Sequence, residues 1–362
     1  MKILYDNQIF SLQNFGGISR YFCELITNFD NTIDYDLPIA FSNNHYLKEE
    51  NITSYKTFFP HSKFFGQTSF IKYFNYRLQK KYFNSNYDLF HPSYYNPYFL
   101  DLIGKKPFVL TIHDLTHEKY SLQTKRGDWS AEGKKILAEK AARIIAVSEN
   151  TKKDIVNILH IHPDKIRVIY HGCNLSLHTE KKMKLPGRFL LFVGERTGYK
   201  NFERLAVAFS QMIQSDDELK LVITGKPFSG SEQNFLRSLK IDANTIHYTV
   251  DNEALVELYS SALAFIYPSM YEGFGIPVLE AFACGCPVIL SHSSCFPEIA
   301  GNAGAYFDPL NVDSMLDSIK RVIYNPSYRK DLIQLGTERS KLFSWGKTAK
   351  ETLQLYQSIL NT

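Results

Sequence analysis

Short apolar runs alternate with longer amphipathic ones along this chain, and the alternation runs its course once and then starts again. Residues 2–6 form a compact apolar run, and residues 17–28 place their apolar side chains at helical spacing. Strands are expected again at 37–41, 108–113, 144–147 and 166–170, with helices over 128–142 and 150–159. Ser148 stands where its hydroxyl would cap the second of these helices. The pattern restarts with strands at 189–193 and 219–224 around a helix at 201–212, then strands at 264–267 and 288–290 around a helix at 276–283. Repeats of this kind build parallel sheets covered on both faces. The expected fold class is therefore α/β, with two doubly wound, Rossmann-like domains. A polar stretch at 181–187, carrying Pro186 and Gly187, marks the expected boundary and divides the chain into 1–182 and 188–343. Further helices are expected at 312–324, 327–341 and 344–360, the last capped by Ser344 with Leu353, Tyr356 and Leu360 sharing a face.

Composition narrows the function classes. With 362 residues, 44% hydrophobic and 22% charged, the chain suits a globular protein of about two domains. A net charge of +4 is too small to imply nucleic-acid binding. No apolar run approaches the roughly 18 residues a membrane span needs. The opening segment meets an acid at Asp6, so no secretory leader is expected there. Five cysteines form no CxxC pair, and Cys284, Cys286 and Cys295 match no common zinc spacing. Small buried thiols in a reducing cytoplasm are the expectation.

Four short motifs carry chemistry. In Glu272-Gly273-Phe274-Gly275-Ile276-Pro277-Val278-Leu279-Glu280, two glycines allow a tight loop and Pro277 suits a first helical turn. Amides near Gly275, Ile276 and Val278 would then face an anion, with a carboxylate at each end of the motif. The bland alternative is a simple turn followed by a solvated Glu280. Arg196 and Lys200 lie just past an expected strand end, where open α/β sheets bind ligands, and two cations there suit a diphosphate. A solvated basic loop is the alternative. Gly16-Gly17 opens the first helix but lacks the GxGxxG spacing of dinucleotide binders. His113-Asp114 closes another strand, where the carboxylate would orient the imidazole or serve structure alone.

Taken together, Gly-Gly, His-Asp, Arg-x3-Lys and Glu-x7-Glu in this order resemble family 4 of the retaining, GT-B-fold glycosyltransferases. Val147-Ser148-Glu149-Asn150-Thr151 and Pro297-Glu298-Ile299-Ala300-Gly301 resemble flanking segments of that family. The first-half motifs are similar to members that build bacterial surface polysaccharides, many of them mannosyltransferases. The resemblance implies two domains facing across a cleft, with the final helix, 344–362, packing back on the first. It implies no metal and no cofactor beyond a nucleotide-sugar donor, with GDP-mannose as the first choice and a lipid-linked saccharide as acceptor. Arg196 and Lys200 would hold the diphosphate, and Glu280 the ribose. Glu272, beside the amides of Phe274, Gly275 and Ile276, would face the donor sugar. Gly16 and Gly17 would let backbone approach the phosphate, and His113 would reach the transferred sugar. The catalytic set is then His113, Arg196, Lys200 and Glu272. A sugar-nucleotide hydrolase or epimerase, or a silent binding partner, are the rival readings.

Two further segments need a reading. Asp34-Tyr35-Asp36 has the spacing of a metal-binding Asp-x-Asp but precedes only the second strand, so it is expected to cap a strand at the surface. Between Glu50 and Asp88 there is no acid, while Lys56, Lys63, Lys72, Arg77, Lys80 and Lys81 are interleaved with Phe58, Phe59, Phe64, Phe65, Phe70, Phe74 and Tyr82. Such a stretch suits the anionic inner face of a membrane. It equally suits a helix with a core-facing aromatic side and a solvated basic side.

Overall fold

The computed structural model describes residues 1–30, 32–59, 64, 66–120, 130–173, 183–196 and 198–361. The chain divides into two units, Met1–His171 with Trp345–Thr362, and Gly172–Ser344. Thr197, Lys63, Phe65 and the stretch 174–182, with Lys181 and Lys182 of the expected boundary, lie outside the described residues.

The first unit contains strands β1 (Lys2–Tyr5), β2 (Asp34–Asp36), β3 (Leu89–His91), β4 (Val109–Ile112), β5 (Arg143–Ala146) and β6 (Ile166–Val168). They pair in parallel as β2-β1-β3 and β4-β5-β6, and a bridge between Phe90 and Phe108 joins the two groups. Side chains alternate across a strand, and both faces are filled. Ile3 and Tyr5 of β1 enter one core with Leu89, Val109 and Ile145, while Leu4 enters the other with Phe90, Leu110 and Ile144. The Ser148 hydroxyl accepts the Thr151 N–H at 3.0 Å and so caps the helix Glu149–Leu159.

The helix Trp345–Leu360 belongs to this unit and packs on the helix Gly17–Thr27. Its buried face runs through Trp345, Ala349, Thr352 and Tyr356. Leu360 is exposed and Leu353 only half-buried, so of the expected face Tyr356 alone is buried, with Leu355 beside it. The reason is local: Tyr356 reaches the Tyr5 hydroxyl at 3.1 Å, and Thr348 donates to the Tyr170 carbonyl at 2.6 Å.

Three expectations need correcting. The second strand is Asp34–Asp36 itself, not 37–41 and not a surface cap beside a strand. Pro38 has no N–H for a ladder, and the amides of Ala40 and Phe41 donate to the Asn75 side chain at 2.8 and 2.9 Å. Both Asp34 and Asp36 are held by Lys2, at 3.3 and 3.1 Å. The unit boundary falls at His171 rather than near 181–187, because Met183 N donates to the Glu257 carboxylate at 2.9 Å and the Lys184 carbonyl accepts from Tyr248. These contacts anchor Met183 and Lys184 to the second unit. The aromatic residues Phe70, Tyr73, Phe74 and Tyr76 of the helix Gln67–Tyr82 are exposed; its buried face is Ile71, Asn75 and Gln79.

The second unit contains β7 (Phe189–Phe192), β8 (Lys220–Thr224), β9 (Thr245–Tyr248), β10 (Ala264–Tyr267), β11 (Val288–Ser291) and β12 (Gly304–Phe307). They form one parallel sheet in the order β12-β11-β10-β7-β8-β9. All four residues of β7, β10 and β11 are buried, which is why they read as unbroken apolar runs. The helix Phe202–Met212 buries Phe202, Leu205, Ala206, Phe209 and Met212 on one face of the sheet, beside Ile319 and Val322 of the helix Val312–Ile323. Each of the larger of these side chains contributes about 1.5–3 kcal/mol when fully buried. The sheet order reverses between β7 and β10, so this crossing point is where the topology leaves room for a ligand.

Candidate functional site

The loops that leave β7 and β10 meet at that crossing. Met270 N donates to the Tyr199 carbonyl at 2.7 Å, and the Asn201 side-chain amide donates to the carbonyls of Pro268 and Pro309 at 3.1 and 2.8 Å. Asn201, at φ +59°, also heads the helix Phe202–Met212. These bonds bring Lys200 to Glu272, with Nζ 2.6 Å from Oε1. The two side chains remain 18% and 14% exposed, so the pair sits at the surface of the crossing and not in the core. Burial alone would lower the Lys200 ammonium, but Glu272 and the neighbouring Tyr267 and Tyr199 hold it well above the usual lysine range.

The Glu272–Gly275 loop is pinned from behind. Glu272 N donates to Ser294 Oγ at 3.0 Å, and Cys295 Sγ donates to the Phe274 carbonyl at 3.1 Å. Gly275 takes φ +90° at the head of the helix Ile276–Ala283, and a Cβ there would lie 3.3 Å from the Phe296 ring. Only glycine adopts this turn without strain. Pro277 stands in the first turn, and the leading amides of the helix, at Gly275 and Ile276, occupy the positions whose N–H groups lack partners inside a helix. Glu280 is a turn further on and nearly buried, with the Tyr259 hydroxyl donating to it at 3.4 Å.

Arg196, on the same β7 loop, takes a different partner from Lys200. Its Nε donates to Glu232 Oε1 at 2.7 Å, and its Nη2 donates to Glu232 Oε2 at 3.3 Å and to the Pro227 carbonyl at 3.2 Å. The guanidinium lies 4.7 Å from the centre of the Phe228 ring. Among the described residues, Nη1 is buried without a hydrogen-bond partner. The motif reading missed Glu232, although Ser229-x-x-Glu232 is a readable capping box and the structure contains it at the head of the helix Gly230–Ser238.

The remaining predicted residues lie in the first unit. Gly16 precedes the helix Gly17–Thr27 in extended backbone, and a Cβ on it would overlap the end of the flexible Gln13 side chain. His113 follows β4 directly and is 9% exposed, stacked on His171 at 5.5 Å and edge-on to Tyr21 at 5.0 Å. Burial pulls its pKa down to about 4, against the opposing pull of Asp114. The expected His113–Asp114 pairing is not made among the described residues. Asp114 instead accepts from Thr116 N at 2.9 Å and faces Lys134 at 3.8 Å, so packing on His171 and Tyr21 orients the ring. Among the described residues there is no group of three or more His, Cys, Asp or Glu able to hold a metal, and no helix long and apolar enough to cross a membrane. Cys23, Cys284, Cys286 and Cys295 are buried thiols and Cys173 is half-buried, with no disulfide among the described residues.

The profile of the glycosyl transferases group 1 matches residues 150–339, more than half of the chain, and that of glycosyltransferase family 4 matches residues 15–177. The chain is 29% identical over 235 residues to the O-antigen chain mannosyltransferase B of Escherichia coli, covering 60% of this chain and 61% of that protein. The chain thus spans about three fifths of that relative's length. Its fold matches sucrose-phosphate synthase from Thermosynechococcus elongatus with a TM-score of 0.77 at 20% identity, covering 99% of both chains. It matches Anabaena HepE in complex with UDP-glucose with a TM-score of 0.74 at 16% identity, covering 99% of this chain and 100% of that one. The fold is GT-B.

Proposed function

This chain belongs to the group 1, family 4 glycosyltransferases, and from that premise we propose that it moves one sugar from a nucleotide donor to a hydroxyl of an acceptor. The observation that carries the reading is the pairing of Lys200 with Glu272 at the β7/β10 crossing, beside a helix headed by Gly275. Breaking an anomeric carbon–phosphate bond leaves a diphosphate of growing negative charge. Preorganised donors stabilise that charge more in the transition state than in the ground state. In this reading Lys200, Arg196 and the amides of Gly275 and Ile276 meet the diphosphate, Glu272 the sugar hydroxyls and Glu280 the ribose. Because Lys200 and Glu272 already bond each other, donor binding exchanges one ion pair for another and strands neither charge. Mannose from GDP-mannose is the proposed sugar, in keeping with the mannosyltransferase among the relatives, and a lipid-linked saccharide the proposed acceptor. Transfer is proposed to retain anomeric configuration and to run without a divalent metal, with cationic side chains offsetting the charge.

The basic helix Gln67–Tyr82 is proposed to rest on an anionic membrane surface. Phe59, Tyr73 and Phe74 are exposed beside Lys72, Arg77, Lys80 and Lys81, and no acid intervenes between Glu50 and Asp88. Replacing those four basic residues by Gln is expected to abolish salt-sensitive co-sedimentation with phosphatidylglycerol vesicles. Unchanged sedimentation removes the membrane from the proposal.

The function is tested with labelled GDP-mannose, a lipid-linked saccharide and EDTA. The expected outcome is a product with the donor's anomeric configuration. Loss of activity in EDTA, restored by manganese, overturns the metal-free phosphate site. Release of free sugar without transfer makes the protein a hydrolase. A melting-temperature screen against GDP, UDP, ADP and dTDP identifies the base, since a ligand that binds only the folded state raises the melting point.

A further inference from the structure

We infer that Glu232 is a positioning residue for the transfer, fixing the Arg196 guanidinium so that a single nitrogen, Nη1, is left to meet the diphosphate. The inference rests on the role proposed above for Arg196. A guanidinium carries five N–H donors in a rigid plane, and two parallel bonds to one carboxylate set both its direction and its tilt. Glu232 makes that fork through Nε and Nη2, at 2.7 and 3.3 Å, and Pro227 takes a further Nη2 bond at 3.2 Å. Phe228 covers one face of the plane. Every nitrogen except Nη1 is therefore engaged by the protein, and Nη1 is the one buried without a partner among the described residues.

The carboxylate is itself held. It accepts from Ser229 N at 2.7 Å and from Ser229 Oγ at 2.8 Å, at the head of the helix Gly230–Ser238. Arg196, first among these partners, lowers the Glu232 pKa to about 2, so the fork stays ionised across any physiological pH. The backbone imposes the approach of the two loops. Gly225, just past β8, takes φ +106°, and a Cβ there would lie 2.7 Å from the Gly194 carbonyl, two residues before Arg196. The close contact between Gly194 and Gly225 thus sets the distance over which Glu232 reaches Arg196. An ordinary surface ion pair contributes little and holds no fixed geometry. In this one the Arg196 side chain is 4% exposed and the Glu232 side chain 27%, with both ends anchored.

The test is a double-mutant cycle with two readouts. Glu232→Gln keeps the shape and removes the charge, and Glu232→Ala removes the fork. Each is expected to lower kcat by about ten- to a hundred-fold, the scale of a misplaced catalytic group. The acceptor KM should stay unchanged. In an Arg196→Ala background, Glu232→Ala is expected to lower kcat no further. The second readout is calorimetric affinity for whichever of GDP, UDP, ADP and dTDP gives wild type its largest melting shift. Glu232→Gln should weaken that diphosphate and leave the matching nucleoside unchanged. Full turnover in folded Glu232→Gln, or independent losses for the two residues, overturns the inference. Full turnover in Arg196→Ala overturns the parent role of Arg196, and the positioning role falls with it. If Glu232→Ala does not fold, the Glu232→Gln results decide.

Discussion

Both units are built on parallel strands, in different orders, and their crossing points are filled in opposite ways. In the first, the strand order reverses between β1 and β3, and Asp6, one residue past β1, is fully buried there. Its carboxylate accepts from Ser93 N and Oγ at 2.8 and 2.6 Å, from Gln8 Nε2 at 2.7 Å, and from Gln8 N and the Tyr98 hydroxyl, each at 3.3 Å. Burial raises the Asp6 pKa, while the Ser93 and Gln8 bonds pull it down. In the second, the crossing between β7 and β10 holds Lys200 and Glu272 in one short bond, both partly exposed. A crossing point is therefore a place where a ligand fits, not a site in itself. It becomes one where charge is left near solvent with bonds to exchange; the Asp6 crossing has spent that capacity on its own chain.

The largest expected effect separates the two crossings directly. Lys200→Ala removes a cation that faces developing charge, and deleting one such donor costs about 3–4 kcal/mol, roughly a hundred- to a thousand-fold in turnover. Its melting temperature should move by only a few degrees. Asp6→Ala is expected to do the reverse. It strands the buried donors of Ser93 and the part-buried ones of Gln8 and Tyr98, and costs about 3 kcal/mol of stability. Turnover per folded molecule should stay within a few-fold of wild type. Denaturant unfolding and steady-state kinetics on both variants measure this. Equal loss of turnover in the two would show that the crossings do not differ in kind.

The same contrast governs what can be read without a structure. Residues 264–267 and 276–283 are the strand and helix expected from the sequence, and 189–193 misses β7 by one residue. Strands buried on both faces are unbroken apolar runs, and that signal is strong. The buried face of the helix Gln67–Tyr82 is not legible in the sequence, because two of its three buried residues are polar. Asn75 bonds Ser11, Phe41 and the amides of Ala40 and Phe41, and Gln79 bonds Asn7 and Tyr5. A face held by hydrogen bonds leaves no hydrophobic period. β3 and β9 are short and carry histidine, and β9 is half-exposed at its sheet's edge. In the candidate site, glycines and charges at strand ends are what single out Arg196, Lys200, Glu272 and Glu280 in the sequence. Glu232 stayed hidden because its partner lies 36 residues away, and chain spacing says nothing of such a fork.

A smaller effect sharpens the comparison through pH. The first unit buries His91, His113 and His171 near its strand ends, whereas the described histidines of the second, His247 and His292, are at least partly exposed. Burial lowers the His91 pKa to about 3 and the His113 pKa to about 4, and holds His171 well below its ordinary value. Their folded values lie below the unfolded value of about 6.5, so the unfolded chain takes up protons first as pH falls. The stability these rings contribute is present above about pH 6.5 and is lost on acidification toward their folded values. Glu24 acts the other way: burial raises its carboxyl to about 7, so the folded state gains there as pH drops. A wild-type titration mixes these opposing signs, and a variant isolates one ring. His91 is held by Tyr356 at 2.5 Å and Thr111 at 2.9 Å, and His91→Gln keeps polar atoms for both. Between pH 7 and 5.5 wild type should lose about 1.2 kcal/mol more than the variant, the linkage value for one such histidine. Denaturant unfolding at the two pH values measures the difference. Equal losses in the two proteins would mean that His91 takes up its proton while the unit is still folded, and that the first unit's strand ends are no more closed than the second's.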